Sequence, residues 1–507
     1  MAKASAKTNA SAKTSASAKV NAKASVNNIL FVTTEAVPFA STGGMGEVCA
    51  ALPHALNKTK KADARVIMPL YEEVAYRFKE KMTFMCNITV SLAWRNQYCG
   101  LFRMEHAGVV YYFVDNEYYF KRQDIYGYYD DAERFAFFSR ATLELLPYLG
   151  FRPDVLQSND HLTALVPIYY ELEYKKRVGY ENIKNVFTIH NISYQGVYPL
   201  IIAGDVFGIS EEDLPLIEFN GKINLAKGAI CACDKITTMS PQYAREIRLP
   251  EYADGLDGVL IKNRDKIVGI LNGIDTEEYD PATSPSLFVN YTADTVENKA
   301  KNKLELQRML SLPENADIPV VCMVAHMVSQ KGYDLLRKSI NKVGAEGNIL
   351  DTDIQLIIIG QGDHDVEGYF MHVQNIFDRR MRVLITYNRD LAKKVMAAAD
   401  MCLIPSYTEP CGLTQMVACR FGAVPIVRAT GGLIDSIKDC TKSDGNGFVF
   451  EEYDSDVMDK TITRAVSMYY YHKPEWLALV KRAMACDFSW NKSAQKYNDL
   501  YRSLIGE

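Results

Sequence analysis

Short apolar runs rich in β-branched residues alternate along this chain with stretches of helical periodicity, and the series runs twice. Such runs, bounded by helix patterns, are what a parallel sheet covered on both faces requires. In the first half they are Ile29–Thr33, Arg65–Leu70, Val109–Val114, Asp154–Gln157, Val186–Ile189 and Lys235–Thr238. A turn-rich stretch, Leu271-Asn272-Gly273-Ile274-Asp275, interrupts the pattern, and a Pro-flanked loop at 280–285 follows it. After a Lys-rich helical segment the series restarts with Val320–Val324, Gln355–Ile359, Arg382–Ile385, Met401–Ile404, Pro425–Val427 and Phe448–Phe450. Two doubly wound α/β domains, residues 29–272 and 273–485, account for this most simply. Ligands of such sheets bind at the carboxyl ends of the strands, so the cleft between the domains is the expected site.

At 507 residues the chain is too long for one core, and 48% apolar with 23% charged residues excludes a mainly disordered or fibrous protein. No apolar run is long enough to span a membrane. A net charge of −5 does not suggest a nucleic-acid binder. Residues 1–28 stand apart: Lys3, Lys7, Lys13, Lys19 and Lys23 sit among Ala, Ser and Thr, with no acid and no aromatic. Such a segment cannot offset its ordering entropy and reads as a disordered, solubilising tail. A plastid transit peptide shares its Ser/Ala-rich, acid-free composition, although the segment contains no Arg. The eleven Cys are scattered and read as reduced thiols in a cytoplasmic protein. Asp351-Thr352-Asp353 and Asp454-Ser455-Asp456 resemble metal-holding DxD patterns but sit in polar loops, where turn residues are the simpler account, and no metal site is expected.

Four segments can carry chemistry. Ser41-Thr42-Gly43-Gly44-Met45-Gly46 lies between a strand and a helix, where backbone amides can approach an anion; a tight packing turn fits equally well. His190 ends the fifth run, at the carboxyl end of a strand; a lone His there is more often structural. Lys331 occupies a strand-to-helix loop, where a cation meets a phosphate or merely solvent. Most informative is Ile404–Thr414, in which Glu409 precedes a Pro-Cys-Gly turn that opens a helix. A carboxylate beside helix-terminal amides suits a sugar and a phosphate. Gly431-Gly432-Leu433 repeats the device after the next strand. Together these turns suggest a nucleotide-sugar held between the domains.

These residues, in this order, resemble the family of bacterial glycogen synthases and plant starch synthases. The resemblance covers nearly all of residues 29–507. It extends through Asp131–Ser139, His190–Gly196, Ile236–Pro241, Gly255–Leu260, Gln330-Lys331-Gly332 and Asp487-Phe488-Ser489-Trp490. It implies a GT-B fold, two Rossmann-like domains facing across a cleft, with residues 486–507 forming a helix that returns to the first domain. It implies retaining transfer of glucose from ADP-glucose to the non-reducing end of an α-1,4-glucan, without a metal or cofactor. Carried over by position, Lys331 would neutralise the departing diphosphate, His190 would bind the transferred glucosyl unit, and Glu409 would bind its hydroxyls and stabilise positive character in the transition state. Tyr387 would stack on the adenine. The turns at Gly43-Gly44, Gly412-Leu413-Thr414 and Gly431-Gly432-Leu433 would cradle phosphates and sugar, with Ser41, Asp160, Asn272 and His326 counted among the substrate-binding positions.

The sequence also departs from the family pattern. Ser41 replaces a Lys, Glu47 an Asp, and His326 a phosphate-binding Arg. In Gln157–Leu162 the family's Trp and both His are absent, while Asp160 remains. Losing one preorganised donor costs about 10²–10³ in rate. His326 replaces the Arg only while protonated, which would make activity fall as pH rises. A second reading follows: a weakened or inactive paralogue that binds glucan or regulates a partner.

Overall fold

The computed structural model describes residues 27–342, 348–386 and 388–506. Its first domain holds β1 (Asn27–Val32), β2 (Ala62–Pro69), β3 (Thr83–Leu92), β4 (Arg95–His106), β5 (Val109–Asp115), β6 (Val155–Asn159), β7 (Lys184–Ile189), β8 (Val197–Tyr198), β9 (Glu218–Phe219), β10 (Lys222–Asn224), β11 (Lys235–Thr238) and β12 (Ile267–Gly269). Nine of these form one sheet in the order β12-β11-β7-β6-β1-β2-β5-β4-β3, and β8-β10-β9 form a small second sheet. The second domain holds β13 (Val320–Val324), β14 (Gln355–Gly360), β15 (Met381–Ile385), β16 (Met401–Ile404), β17 (Val424–Arg428) and β18 (Phe448–Phe450), ordered β15-β14-β13-β16-β17-β18. All neighbours in that second sheet pair in parallel.

The first sheet is mixed, not purely parallel: β3 and β4 form an antiparallel hairpin, and β4 pairs antiparallel with β5. The hairpin's residues are largely half-exposed, so it lacks the unbroken apolar run of a strand buried on both faces. Strand β1 takes in Asn27 and Asn28, two residues assigned to the tail from sequence, and Asn27 itself is buried.

In both sheets the direction of winding reverses at one point, between β1 and β6 in the first and between β13 and β16 in the second. Loops leaving neighbouring strands diverge at such a point and open a crevice. The residues after these four strands are Glu35, Asp160, His326–Lys331 and Ser406–Glu409.

The first core runs from Ile29 to Ile270, and the second from Ile274 to Met484, which also takes Met239. The chain then crosses back, and Trp490, Ala494, Tyr497, Leu500 and Tyr501 of the last helix (Trp490–Ile505) are buried in the first core. The two crossings lie side by side: Ile274 pairs with Ser489, and its amide donates to the Phe488 carbonyl at 2.8 Å. Among the described residues no helix is long and apolar enough to cross a membrane. All eleven cysteines are free. Asp454 accepts the amides of Asp456 and Val457 as the cap of a helix, and Asp351 accepts that of Asn348, so both DxD patterns serve turns.

Candidate active site

The crevices of the two domains face one another across a cleft of about 820 Å³. Its first-domain wall begins where β1 ends. Glu35, fully buried, accepts the Thr42 amide at 2.6 Å, the Thr42 hydroxyl at 2.8 Å and the Tyr126 hydroxyl at 2.7 Å. This brace holds the loop that presents Gly43 and Gly44 to the cleft. Ser41 does not share that wall. Its hydroxyl donates back to the Gly43 carbonyl at 3.0 Å, and its side chain lines a separate hollow beside Phe39 and Arg122.

Asp160 follows β6 with φ 56° and ψ −179°, a conformation that costs a non-glycine residue about 1–3 kcal/mol. Its amide donates to the Thr188 carbonyl at 2.9 Å, and its carboxylate accepts the His190 amide at 2.7 Å. Burial pushes its carboxyl up to about 7, against the pull of the His190 and Asn191 amides. His190 is buried enough to be held neutral, its acid dissociation lowered to about 3. The Asn159 amide nitrogen donates to the carbonyls of Val32 and Gln157, which fixes its oxygen as the acceptor for His190 Nε2 at 3.0 Å. The His190 Nδ1 is then an acceptor, suited to a sugar hydroxyl.

The second-domain wall is charged. Lys331 Nζ donates to Glu409 Oε1 at 2.9 Å and Oε2 at 2.7 Å, and Ser406 Oγ donates to Glu409 Oε2 at 3.0 Å. Gly332 makes this meeting possible. Its φ is +82°, and a Cβ there would lie 2.2 Å from the Pro405 carbonyl oxygen, so only glycine lets the Lys331 turn lie against the Ser406–Glu409 loop. Beside the pair, Gly412, Leu413 and Thr414 line the cleft at the start of the helix Thr414–Arg420. Among the described residues the Gly412 and Leu413 amides carry no bond to a protein acceptor. An anion would be received here by backbone amides and by Lys331.

Gly431, Gly432 and Leu433 do not face the cleft as their sequence suggests. All three are buried, and none lines the cleft. The Gly431 amide donates to the Glu246 carboxylate at 2.9 and 3.0 Å, Gly432 to the Glu409 carbonyl at 3.0 Å, and Leu433 to the Thr430 carbonyl at 3.0 Å. The amides expected to cradle phosphate are already satisfied inside the protein.

Asn272 and His326 line the cleft, and Asn272 Nδ2 donates to the Met239 sulfur at 3.2 Å. A hollow of about 230 Å³ adjoins the cleft, lined by Glu47, His326, Thr386, Asn388, Arg389 and Lys393. Tyr387 lies outside the described residues. Across this hollow Arg389 pairs with Glu47 of the first domain at 2.5 Å. Burial raises the Glu47 carboxyl against the opposing pull of Arg389.

Several cleft residues are not marked by the sequence, Glu35, Tyr126 and His161 among them. Glu35 and Tyr126 belong to a hydrogen-bond network that no local motif marks. His161 stacks on Tyr194, with ring centroids 6.3 Å apart, and burial lowers its acid dissociation to about 4. It directly follows Asp160, so its place at the end of β6 was the available signal.

Residues 28–262 match the starch synthase catalytic domain, and residues 309–475 match glycosyl transferases group 1. A glycogen synthase of Desulforamulus reducens is 42% identical over 481 residues, covering 94% of this chain and 98% of the relative. One from Bacillus cereus (strain Q1) is 43% identical over 486 residues, covering 94% and 100%. Among solved structures, the catalytic domain of starch synthase IV from Arabidopsis thaliana, bound to ADP and acarbose, superposes with a TM-score of 0.86 at 31% identity, covering 95% of this chain and all of that one. Sucrose-phosphate synthase from Thermosynechococcus elongatus, at TM-score 0.58 and 16% identity, shares the fold.

Proposed function

This chain belongs to the glycogen and starch synthase family of GT-B glycosyltransferases, and from that premise we propose that it transfers glucose from ADP-glucose, with retention, to the non-reducing end of an α-1,4-glucan. The observation that supports this reading most is the Lys331–Glu409 pair beside the Gly412 and Leu413 amides. A bound diphosphate competes with Glu409 for Lys331. Phosphate oxygens take the lysine and the helix-start amides, and the carboxylate is released toward the glucosyl ring.

The bond between the glucosyl carbon and the diphosphate oxygen then breaks. Lys331 and the amides stabilise the charge gathering on the leaving oxygens, and Glu409 stabilises the positive character left on the sugar. Neutral His190 accepts a sugar hydroxyl at Nδ1 and adds no positive charge beside that carbon. The glucan hydroxyl attacks on the face that the phosphate leaves, and its proton passes to the departing phosphate oxygen.

The departures at Ser41 and His326 favour a second reading, a glucan-binding or regulatory paralogue with little activity. One experiment separates the two: transfer of labelled glucose from ADP-glucose, and in parallel from UDP-glucose, to glycogen, with Glu409→Ala as control. Incorporation that Glu409→Ala abolishes supports the synthase, and the better donor identifies the nucleotide. No incorporation from either donor by folded protein rejects the synthase in favour of the paralogue.

A further inference from the structure

Glu246 ends the first-domain helix Pro241–Glu246, and only 4% of its surface is exposed. Its carboxylate crosses to the second domain, where it accepts the Gly431 amide through both oxygens and the Thr430 hydroxyl at 3.1 Å. Within its own domain it accepts the Gln242 side-chain amide at 3.2 Å. Among the described residues none of these partners is a cation. A buried carboxylate without a counter-charge is a costly way to join two domains, since an apolar contact of equal size would stabilise the interface at least as well. The charge therefore calls for an explanation beyond adhesion.

The turn that Glu246 holds lies directly behind Glu409. A Cβ on Gly431 would lie 1.9 Å from the Glu409 carbonyl oxygen, and one on Gly432 would lie 1.9 Å from that of Cys411. The Gly432 amide donates to the Glu409 carbonyl at 3.0 Å. Further along the same helix, the Ser436 hydroxyl receives Gln415 Nε2 at 3.0 Å, and that nitrogen also donates to the Gly412 carbonyl at 2.7 Å. The turn thus supports both the carboxylate and the helix start that face the cleft. It is itself anchored by a residue of the opposite domain. Two further bonds cross here, from Ser240 Oγ to the Pro410 carbonyl at 2.8 Å and from the Gln242 amide to Asp435 at 2.7 Å.

We propose that Glu246 is a positioning residue that couples domain approach to the placement of Glu409: when the first domain closes, its carboxylate anchors the Thr430–Gly432 turn and so sets the loop that carries Glu409. The proposal rests on the synthase reading for its kinetic consequence, and on geometry alone for its conformational one.

Glu246→Gln and Glu246→Ala should be compared with wild type in transfer from ADP-glucose to glycogen and in small-angle scattering with saturating ADP. The expected result is a kcat lowered about 10- to 100-fold in Glu246→Ala, with KM for the donor within about threefold and partial recovery in Glu246→Gln. Melting of the Gln variant should stay near that of wild type, and the ADP-bound Ala variant should be more extended than wild type. Unchanged kcat, or a loss that tracks melting temperature with no difference between Gln and Ala, overturns the proposal. Should wild type transfer no glucose, the synthase reading fails, and scattering decides this proposal by itself: equal dimensions of ADP-bound wild type and variant overturn it. Where the Ala variant does not fold, the Gln variant carries both measurements.

Discussion

Two helices of the second domain start from nearly the same sequence and end up in opposite roles. Cys411-Gly412-Leu413 opens the helix Thr414–Arg420 with its amides toward the cleft, while Gly431-Gly432-Leu433 opens the helix Gly431–Ser436 with its amides already bonded within the protein. Both starts offer the same partial positive charge. What separates them is the neighbour: the first meets the open space between the domains, the second meets Glu246. A glycine-rich helix start marks a place where a negative group can sit, and the surrounding fold decides whether that group is a ligand or a side chain.

The contrast can be broken most severely at the open start. Lys331→Met removes the cation that shares the anion site with the Gly412 and Leu413 amides, and kcat for glucosyl transfer should fall about 10²–10³-fold. Stability should fall as well, by up to about 3–5 kcal/mol, because the buried Glu409 carboxylate loses its counter-charge. Initial rates under donor saturation, beside a melting curve, test this. An Ala at each start sharpens the comparison. Gly431→Ala forces a Cβ onto the Glu409 backbone carbonyl at a φ of +44° and should cost about 2–5 kcal/mol of stability. Gly412→Ala meets only the flexible end of Gln415 at a φ of +68°, and should cost about 1–2 kcal/mol. Equal denaturation midpoints for the two variants would remove the distinction drawn here.

The wall opposite these starts adds a pH signature. The Asp160 carboxyl is raised to about 7 in the fold, so its contribution to stability is complete below about pH 4 and disappears as pH rises through about 7. His190 is lowered to about 3, so its contribution is present above about pH 6.5 and is lost as pH falls toward 3. The two slopes oppose each other between pH 4 and 6.5. Asp160→Asn should steepen the acid loss of stability and His190→Gln should flatten it, as read from denaturant titrations across that range. The smallest effect belongs to the Glu47–Arg389 bridge. Its side chains are 24% and 41% exposed, so Arg389→Ala should cost at most about 1 kcal/mol of stability and change donor KM a few-fold, with the difference shrinking in high salt.

Most of the strands were legible, because those buried on both faces carry their own signature. Lys235–Thr238, Val320–Val324, Met401–Ile404 and Phe448–Phe450 have the bounds that their apolar runs suggest. The β3–β4 hairpin was not, since half-exposed strands mix polar with apolar residues and lose that signature. At the site, local chemistry pointed to His190, Lys331 and Glu409, each at the carboxyl end of a strand or in the loop after it. Ser41 and Gly431 misled for one reason: a motif specifies backbone shape, whereas the direction a hydroxyl turns and the occupant of an amide are set by residues far away in sequence. Glu246 acts on Gly431 across 185 positions, and nothing near either residue announces the other.

The return of the last helix has a consequence for how the chain is made. Trp490, Tyr497 and Tyr501 fill the core of the first domain, and they leave the ribosome only after the whole of the second. Each such side chain buries apolar surface worth about 2 kcal/mol, so the nascent first domain lacks a substantial part of its final stability throughout synthesis of the second. The older half of the polypeptide is completed only after the younger half has been built. A chain that stops before Trp490 therefore weakens the first domain, and damage done after the second domain appears in the one before it.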